Sequence, residues 1–267
     1  MKMIHMPVPG HEDATLEGYI LDCEIKLGQS VNRPAIVVCP GGGYGFCSQR
    51  ESEVIALPFL AEGFNAFVLT YSVYPHHFPV QVREVAAVLE LIHANAEAWN
   101  CDPNRVAIIG FSAGGHLAAH YSTCYDCAEV REVFPESKPV QASILSYPVI
   151  TADPTFSHMG SICCVSGHDP LLPEDIEKFS CERHVTEHTP PAFIWHTAPD
   201  DCVPVMNSLL YAGALADHGI SFELHVYPFG CHGLATVDEH TNNGLDEKTA
   251  HAAAWLPAVK KWLKLIF

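Results

Sequence analysis

The stretch VAIIGFSAGGHLAAHY, Val106 to Tyr121, constrains this chain more than any other. An apolar run enters Gly110-Phe-Ser-Ala-Gly114, and a helical pattern begins at once. A strand that becomes a helix with almost no loop forces its central residue into a strained backbone conformation. The neighbours two positions away must lack bulk, because the chain folds back on itself there. Gly110 and Gly114 meet that need. The expected product is a tight elbow that holds the Ser112 hydroxyl clear of the backbone, at the N-terminus of a helix. Gly-x-Ser-x-Gly also arises by chance. The reading therefore depends on the rest of the chain supplying a base, a carboxylate and an oxyanion site.

The remaining chain alternates short apolar runs with amphipathic segments. Gly18–Ile25, Ala35–Cys39, Ala66–Tyr71, Val106–Gly110, Ala142–Tyr147, Ala192–His196 and Phe222–Tyr227 are expected to be strands. Most are continuous apolar runs, as in strands covered on both faces. Helices are expected at Ser48–Glu62 and Val205–His218, closed by Gly63 and Gly219. Others are expected at Val80–Trp99, at Ala113–Tyr125 and at Glu247–Leu265, the last kinked by Pro257. Such alternation predicts an α/β domain spanning residues 1–267, with a mostly parallel sheet and helices on both faces. Thr151–Pro191 breaks the rhythm. It is read as a short lid or pocket wall over the carboxyl ends of the strands, where such sheets bind ligands.

Composition narrows the function classes. A net charge of −17 repels nucleic acid and anionic membranes. A hydrophobic content of 48% supports a sizeable core. No long apolar run suggests a signal peptide or a membrane span. The eleven cysteines, an odd number, are read as reduced thiols of a cytoplasmic protein. Cys124-x-x-Cys127 has no second pair at ligand spacing.

A serine hydroxyl needs a base. Among 17 histidines, His232 has the best context: it follows the last strand, in a loop freed by Gly230 and Gly233. A carboxylate must then fix its tautomer. His196-Thr-Ala-Pro-Asp-Asp-Cys-Val offers two adjacent acids, Asp200 and Asp201. An oxyanion needs preset N–H donors. Pro40-Gly-Gly-Gly-Tyr-Gly-Phe follows the strand Ala35–Cys39, so Gly42 and Gly43, with Ala113 beside the nucleophile, are the candidates. That glycine run lacks the ending of a P-loop and the spacing of a dinucleotide fingerprint.

Together, Pro40-Gly-Gly-Gly-Tyr, Gly-Phe-Ser112-Ala-Gly-Gly-His, Asp200-Asp-Cys-Val-Pro-Val and Gly-Cys-His232-Gly resemble the esterase/lipase branch of the α/β-hydrolases. Within it they look like the bacterial acetyl-esterase and acetyl-xylan-esterase-like enzymes. The resemblance runs from about Ile36 to Phe267. It implies an α/β-hydrolase fold of about eight strands. The family's Asp-x-x-Val pattern selects Asp200 as the acid and leaves Asp201 to cap the following helix. Many relatives carry His-Gly-Gly-Gly at the oxyanion loop, where this chain has Pro40.

The implied activity is a serine carboxylesterase that removes short acyl groups, acetyl above all. Sugars or oligosaccharides as the alcohol follow from the resemblance alone. The alternative is an amide-cleaving relative, an arylformamidase or a small peptidase. Tyr44, Tyr71 and His77 are expected to border the substrate, and Tyr44-Gly45-Phe46 to narrow the acyl pocket. His116 and His120 share a helical face, yet no third metal ligand accompanies them, and packing is the expected role. The chemistry requires no metal or organic cofactor. The expected partner is a small ester or acetylated oligosaccharide, with neither nucleic acid nor membrane, and a homo-oligomer is compatible with the sequence.

Overall fold

The computed structural model describes residues 1–22 and 31–267. Among them, eight strands form one sheet: β1 (Lys2–Val8), β2 (His11–Ile20), β3 (Arg33–Cys39), β4 (Asn65–Thr70), β5 (Cys101–Phe111), β6 (Ala142–Ser146), β7 (Ala192–Thr197) and β8 (Phe222–Tyr227). Their order is β1-β2-β4-β3-β5-β6-β7-β8. The β1–β2 and β2–β4 pairs are antiparallel, and every later pair is parallel. The helices are α1 (Glu53–Ala61), α2 (Val80–Ala94), α3 (Ala113–Cys124), α4 (Ala128–Arg131), α5 (Met159–Ser166), α6 (Pro173–Phe179), α7 (Met206–Asp217), α8 (Glu247–Ala250) and α9 (Trp255–Ile266). None of the described helices is long and apolar enough to cross a membrane.

The central strands are apolar throughout because both faces are covered. Ile36 and Val38 of β3, and Ala107 and Ile109 of β5, pack with Ile55 and Phe59 of α1 and with Trp255 and Val259 of α9. The intervening Val37 and Ile108 pack on the other face, with Val85 and Leu89 of α2, Leu117 of α3 and Tyr211 of α7. Gly63 (φ +94°) and Gly219 (φ +69°) close α1 and α7 in the left-handed region, as the sequence predicts.

Three expectations need correction. The first strands lie earlier than Gly18–Ile25: β1 and β2 form a hairpin, and residues 23–25 fall outside the described residues. This hairpin alternates polar and apolar residues, burying Ala14 and Leu16 while Glu12 and Asp13 face solvent, so its charges hide it from a search for apolar runs. Residues 49–51 form a separate 3-10 turn before α1. The C-terminal segment is not one kinked helix. It divides into α8, a 3-10 turn at His251–Ala254 and α9, whose first turn contains Pro257. A proline there removes an N–H that has no intrahelical partner anyway.

Thr151–Pro191 contains α5, α6 and a 3-10 turn at Cys181–His184. It is tied to the segment that follows β6 by the Cys181 N–H donating to Ile150 O (3.0 Å). A further tie runs to α3, where His116 Nε2 donates to Phe179 O (2.9 Å).

Candidate active site

Four segments meet at the carboxyl ends of the parallel strands: the glycine loop after β3, Ser112 after β5, Asp200 after β7 and His232 after β8. Ser112 has φ +53° and ψ −117°. Three backbone hydrogen bonds hold that conformation. Its N–H donates to Ser146 O (3.0 Å), and its carbonyl accepts from His116 N–H (3.1 Å) and Val149 N–H (3.0 Å). A Cβ on Gly110 would lie 2.0 Å from Gly114 O, and one on Gly114 would lie 2.1 Å from Cys39 O. Both glycines are therefore required by contact, and the second brings α3 against the end of β3.

The Ser112 hydroxyl lies 2.8 Å from His232 Nε2, and His232 Nδ1 lies 2.7 Å from Asp200 Oδ2. A carboxylate only accepts, so Nδ1–H donates to it. The Nε2 lone pair is then left to accept the serine proton. Asp200 Oδ1 accepts the N–H groups of Cys202 (3.0 Å) and Val203 (2.9 Å). His196 Nε2, which donates to Val203 O (2.9 Å), also lies 3.3 Å from Asp200 Oδ2. Burial raises the Asp200 pKa, but the bonds from His196 and His232, the His232 charge and the Val203 N–H outweigh it. The carboxyl is held well below the usual range and stays ionised.

The glycine loop has Gly42 at φ +129° and Gly43 at φ +65°. The Gly41 N–H is taken by Glu51 Oε2 (2.9 Å). The N–H groups of Gly42, Gly43 and Ala113 have no acceptor among the described residues. They are left as free donors for an acceptor brought in by a ligand.

Several residues absent from the sequence reading organise this site. Glu51 is buried, and its other oxygen accepts the Tyr147 hydroxyl proton (2.6 Å). Tyr147 Oη in turn accepts the Ala235 N–H (2.9 Å), and its ring meets the His232 ring edge-on at 5.0 Å. Arg50 donates to the carbonyls of Gly233 (3.2 Å) and Thr241 (2.9 Å). One 3-10 turn thus ties the glycine loop to the loop of His232. His158 lies close enough that the His232 charge, after burial, lowers its pKa, against an opposing pull from Asp200. For His196 a faint signal existed: a polar residue at the end of an apolar strand, four positions before Asp200. Nothing local marked Glu51 or Arg50.

Other expectations are corrected here. Tyr44 and Tyr71 are fully buried beneath the glycine loop and do not border it from outside. The Tyr71 hydroxyl donates to Pro40 O (2.7 Å), and that of Tyr44 donates to His116 Nδ1 (2.8 Å). Their hydroxyls needed partners inside the core and found them in the loop and in α3. Tyr44 therefore does not narrow the acyl pocket, whereas Phe46 remains exposed beside Gly42. His77 stands apart from these corrections: it lines a cavity of about 440 Å³, which neither Ser112 nor His232 borders. His116 packs as expected, with burial driving its pKa down to about 4. Asp201 is exposed and caps nothing: α7 has no side-chain cap, and the turn before it is closed by Asp200.

The BD-FAE family model matches residues 21–215. An endo-1,4-β-xylanase B of Butyrivibrio fibrisolvens is 37% identical over 80% of this chain and 34% of its own length. An acetylxylan esterase of Xylanibacter ruminicola is 36% identical over 78% of this chain and 42% of its own. The chain thus spans less than half the length of these curated relatives. Among solved structures, an acetyl ester-xyloside bifunctional hydrolase from Caldicellulosiruptor lactoaceticus is 36% identical with a TM-score of 0.82, covering 95% of this chain and 88% of that one.

Proposed function

This chain belongs to the BD-FAE family, within the esterase branch of the α/β-hydrolases, and we propose that it is a serine carboxylester hydrolase that removes acetyl groups from acetylated sugars or oligosaccharides. The reading rests above all on the run Ser112 Oγ, His232, Asp200 at 2.8 and 2.7 Å. Ser112 attacks the ester carbonyl while His232 Nε2 takes its proton. The imidazolium that forms is stabilised by Asp200. The N–H groups of Gly42, Gly43 and Ala113 receive the negative charge of the tetrahedral intermediate. His232 returns the proton to the leaving alcohol, which departs and leaves an acetyl ester on Ser112. Water, deprotonated by His232, attacks that ester, and acetate leaves as Ser112 recovers its proton. Thr151–Pro191 acts as a wall beside this centre, with Ser161 Oγ facing Gly43. The acetyl preference is supported by relatives named for acetylxylan and acetyl esters.

The test is hydrolysis of p-nitrophenyl acetate, butyrate and octanoate by the wild type and Ser112→Ala. The variant is expected to lose on the order of 10⁶-fold in kcat, with acetate the fastest substrate of the wild type. Comparable rates in the two proteins would remove Ser112 from the mechanism. Faster turnover of octanoate would remove the acetyl preference.

A further inference from the structure

Outside the catalytic centre, a cavity of about 440 Å³ is lined by Tyr74, His77, Cys163, Cys164, Gly167, His168 and Asp169. Its volume falls within the range of small-molecule sites. We propose that it is a sugar subsite, which holds a neutral pyranose ring next to the residue that carries the ester. This deepens the reading of the centre as a sugar deacetylase and rests on that reading for the position of the acetylated residue.

The cavity is a built feature. Gly167 ends α5 at φ +80°, and a Cβ there would lie 2.9 Å from the His77 ring. Its bareness lets that ring seat against the helix end. The His77 Nδ1–H donates to Cys164 O (2.8 Å), which fixes the ring. Tyr74 is 62% exposed, yet the His77 ring meets its ring edge-on at 6.0 Å. Its backbone is pinned, the N–H donating to Tyr44 O (2.7 Å). An exposed aromatic ring fixed at the lip of a cavity suits the C–H face of a sugar, which meets the negative face of the ring.

The polar lining suits hydroxyl groups. His168 Nδ1 is engaged by Asp175 Oδ2 (2.8 Å), so in both histidines Nε2 is the nitrogen left for a ligand. Asp169 adds a carboxylate, and neither lysine nor arginine is present. An anionic ligand would find no counter-charge there, in a chain of net charge −17. Among the described residues no group of three or more His, Cys, Asp or Glu side chains is arranged to hold a metal ion.

The position links the cavity to the reacting centre. Tyr74 is bonded to the backbone of Tyr44, the residue after Gly43. Ser161 of α5 faces Gly43, and Cys164, a lining residue, lies roughly one turn further along the same helix, about 5 Å. A sugar bearing its acetyl group at Ser112 would extend its neighbour in this direction.

Calorimetric titration with unacetylated xylotetraose tests the subsite without any turnover. The wild type is expected to bind it, Tyr74→Ala to bind it roughly ten-fold more weakly, and Tyr74→Phe to retain binding. The anionic tetragalacturonate should bind more weakly than xylotetraose to the wild type. Equal binding by the wild type and Tyr74→Ala, or no binding of xylotetraose by the wild type, overturns the subsite. Release of acetate from acetylated xylo-oligosaccharide, read separately, judges the deacetylase reading. Tyr74-dependent binding without acetate release keeps the subsite and sinks that reading. Acetate release without Tyr74-dependent binding does the reverse.

Discussion

Ser112 and His232 share one hydrogen bond of 2.8 Å, but they reach it by different means. Ser112 is held at close quarters: Gly110 and Gly114 clear the space, and the backbone bonds run to His116 in its own helix and to Ser146 and Val149 at the end of neighbouring β6. His232 stands in a loop with Ala235 at φ +50° and Val237 at φ +59°. That loop is held from afar. Arg50 reaches it across 183 and 191 positions of sequence. Tyr147 binds the Ala235 N–H, and Trp255 Nε1 donates to Ala235 O (3.0 Å). The elbow is thus a matter of tight steric fit, within the junction at Gly110 and against the end of β3 at Gly114, which one methyl group can destroy. The loop is a matter of several separate ties, each of which can be loosened alone.

The elbow is expected to be the more fragile of the two. Gly114→Ala places a methyl group 2.1 Å from Cys39 O and 2.3 Å from Pro40 O, both backbone atoms that cannot step aside cheaply. The variant is expected to lose about 3 kcal/mol or more of stability and nearly all esterase activity. Thermal unfolding and p-nitrophenyl acetate turnover read both. A variant as stable and as active as the wild type would mean the junction is not held by this contact.

The loop predicts a smaller and more selective effect. Glu51→Gln keeps the size of the side chain but cannot accept on both arms from Gly41 N–H and the Tyr147 hydroxyl. A roughly ten-fold fall in kcat is expected, the scale of one charge-assisted hydrogen bond, with KM little changed. Stability supplies a second readout. Burial, only partly opposed by Tyr147, Gly41, His232 and Arg50, raises the Glu51 carboxyl above its ordinary 4.5. The native state then keeps a proton that the unfolded chain has already lost. Stability contributed by this group falls as pH rises from about 4.5 through the folded value. Glutamine carries no such loss. Urea unfolding at about pH 4 and about pH 7 should therefore favour the variant increasingly at the higher pH. Parallel pH dependence in the two proteins would deny Glu51 its buried, titrating role.

The same contrast explains what could be read from the sequence. The elbow, the parallel strands and the glycine loop are written in adjacent residues: the bare positions 110 and 114 show in the sequence even though what Gly114 must clear is the backbone of Cys39 and Pro40. The parallel core was legible because burial on both faces makes Ala35–Cys39 and Val106–Gly110 apolar throughout. The β1–β2 hairpin was not, because an edge with one wet face carries charge. Glu51, Arg50 and Tyr147 were silent because their meaning lies in partners on distant segments. Tyr44 and Tyr71 were misplaced for the same reason: proximity to the glycine run gave their position in the chain and not the side of the loop they occupy.

Asp200 and Asp201 give the finest test, since adjacent residues of one type are assigned opposite fates. Asp200 is buried, with both oxygens engaged by His232, Cys202 and Val203. Asp201 faces solvent. Asp200→Asn should cost on the order of 10⁴-fold in kcat, because the amide upsets the His232 tautomer. Asp201→Asn should change kcat/KM for p-nitrophenyl acetate by less than about two-fold, as an exposed charge near a neutral substrate contributes little. A reversed pair of values would move the acid by one residue, and with it the Asp-x-x-Val register that the family resemblance implied. Two modest losses would mean that neither carboxylate holds the histidine, and that the loop ties alone orient it.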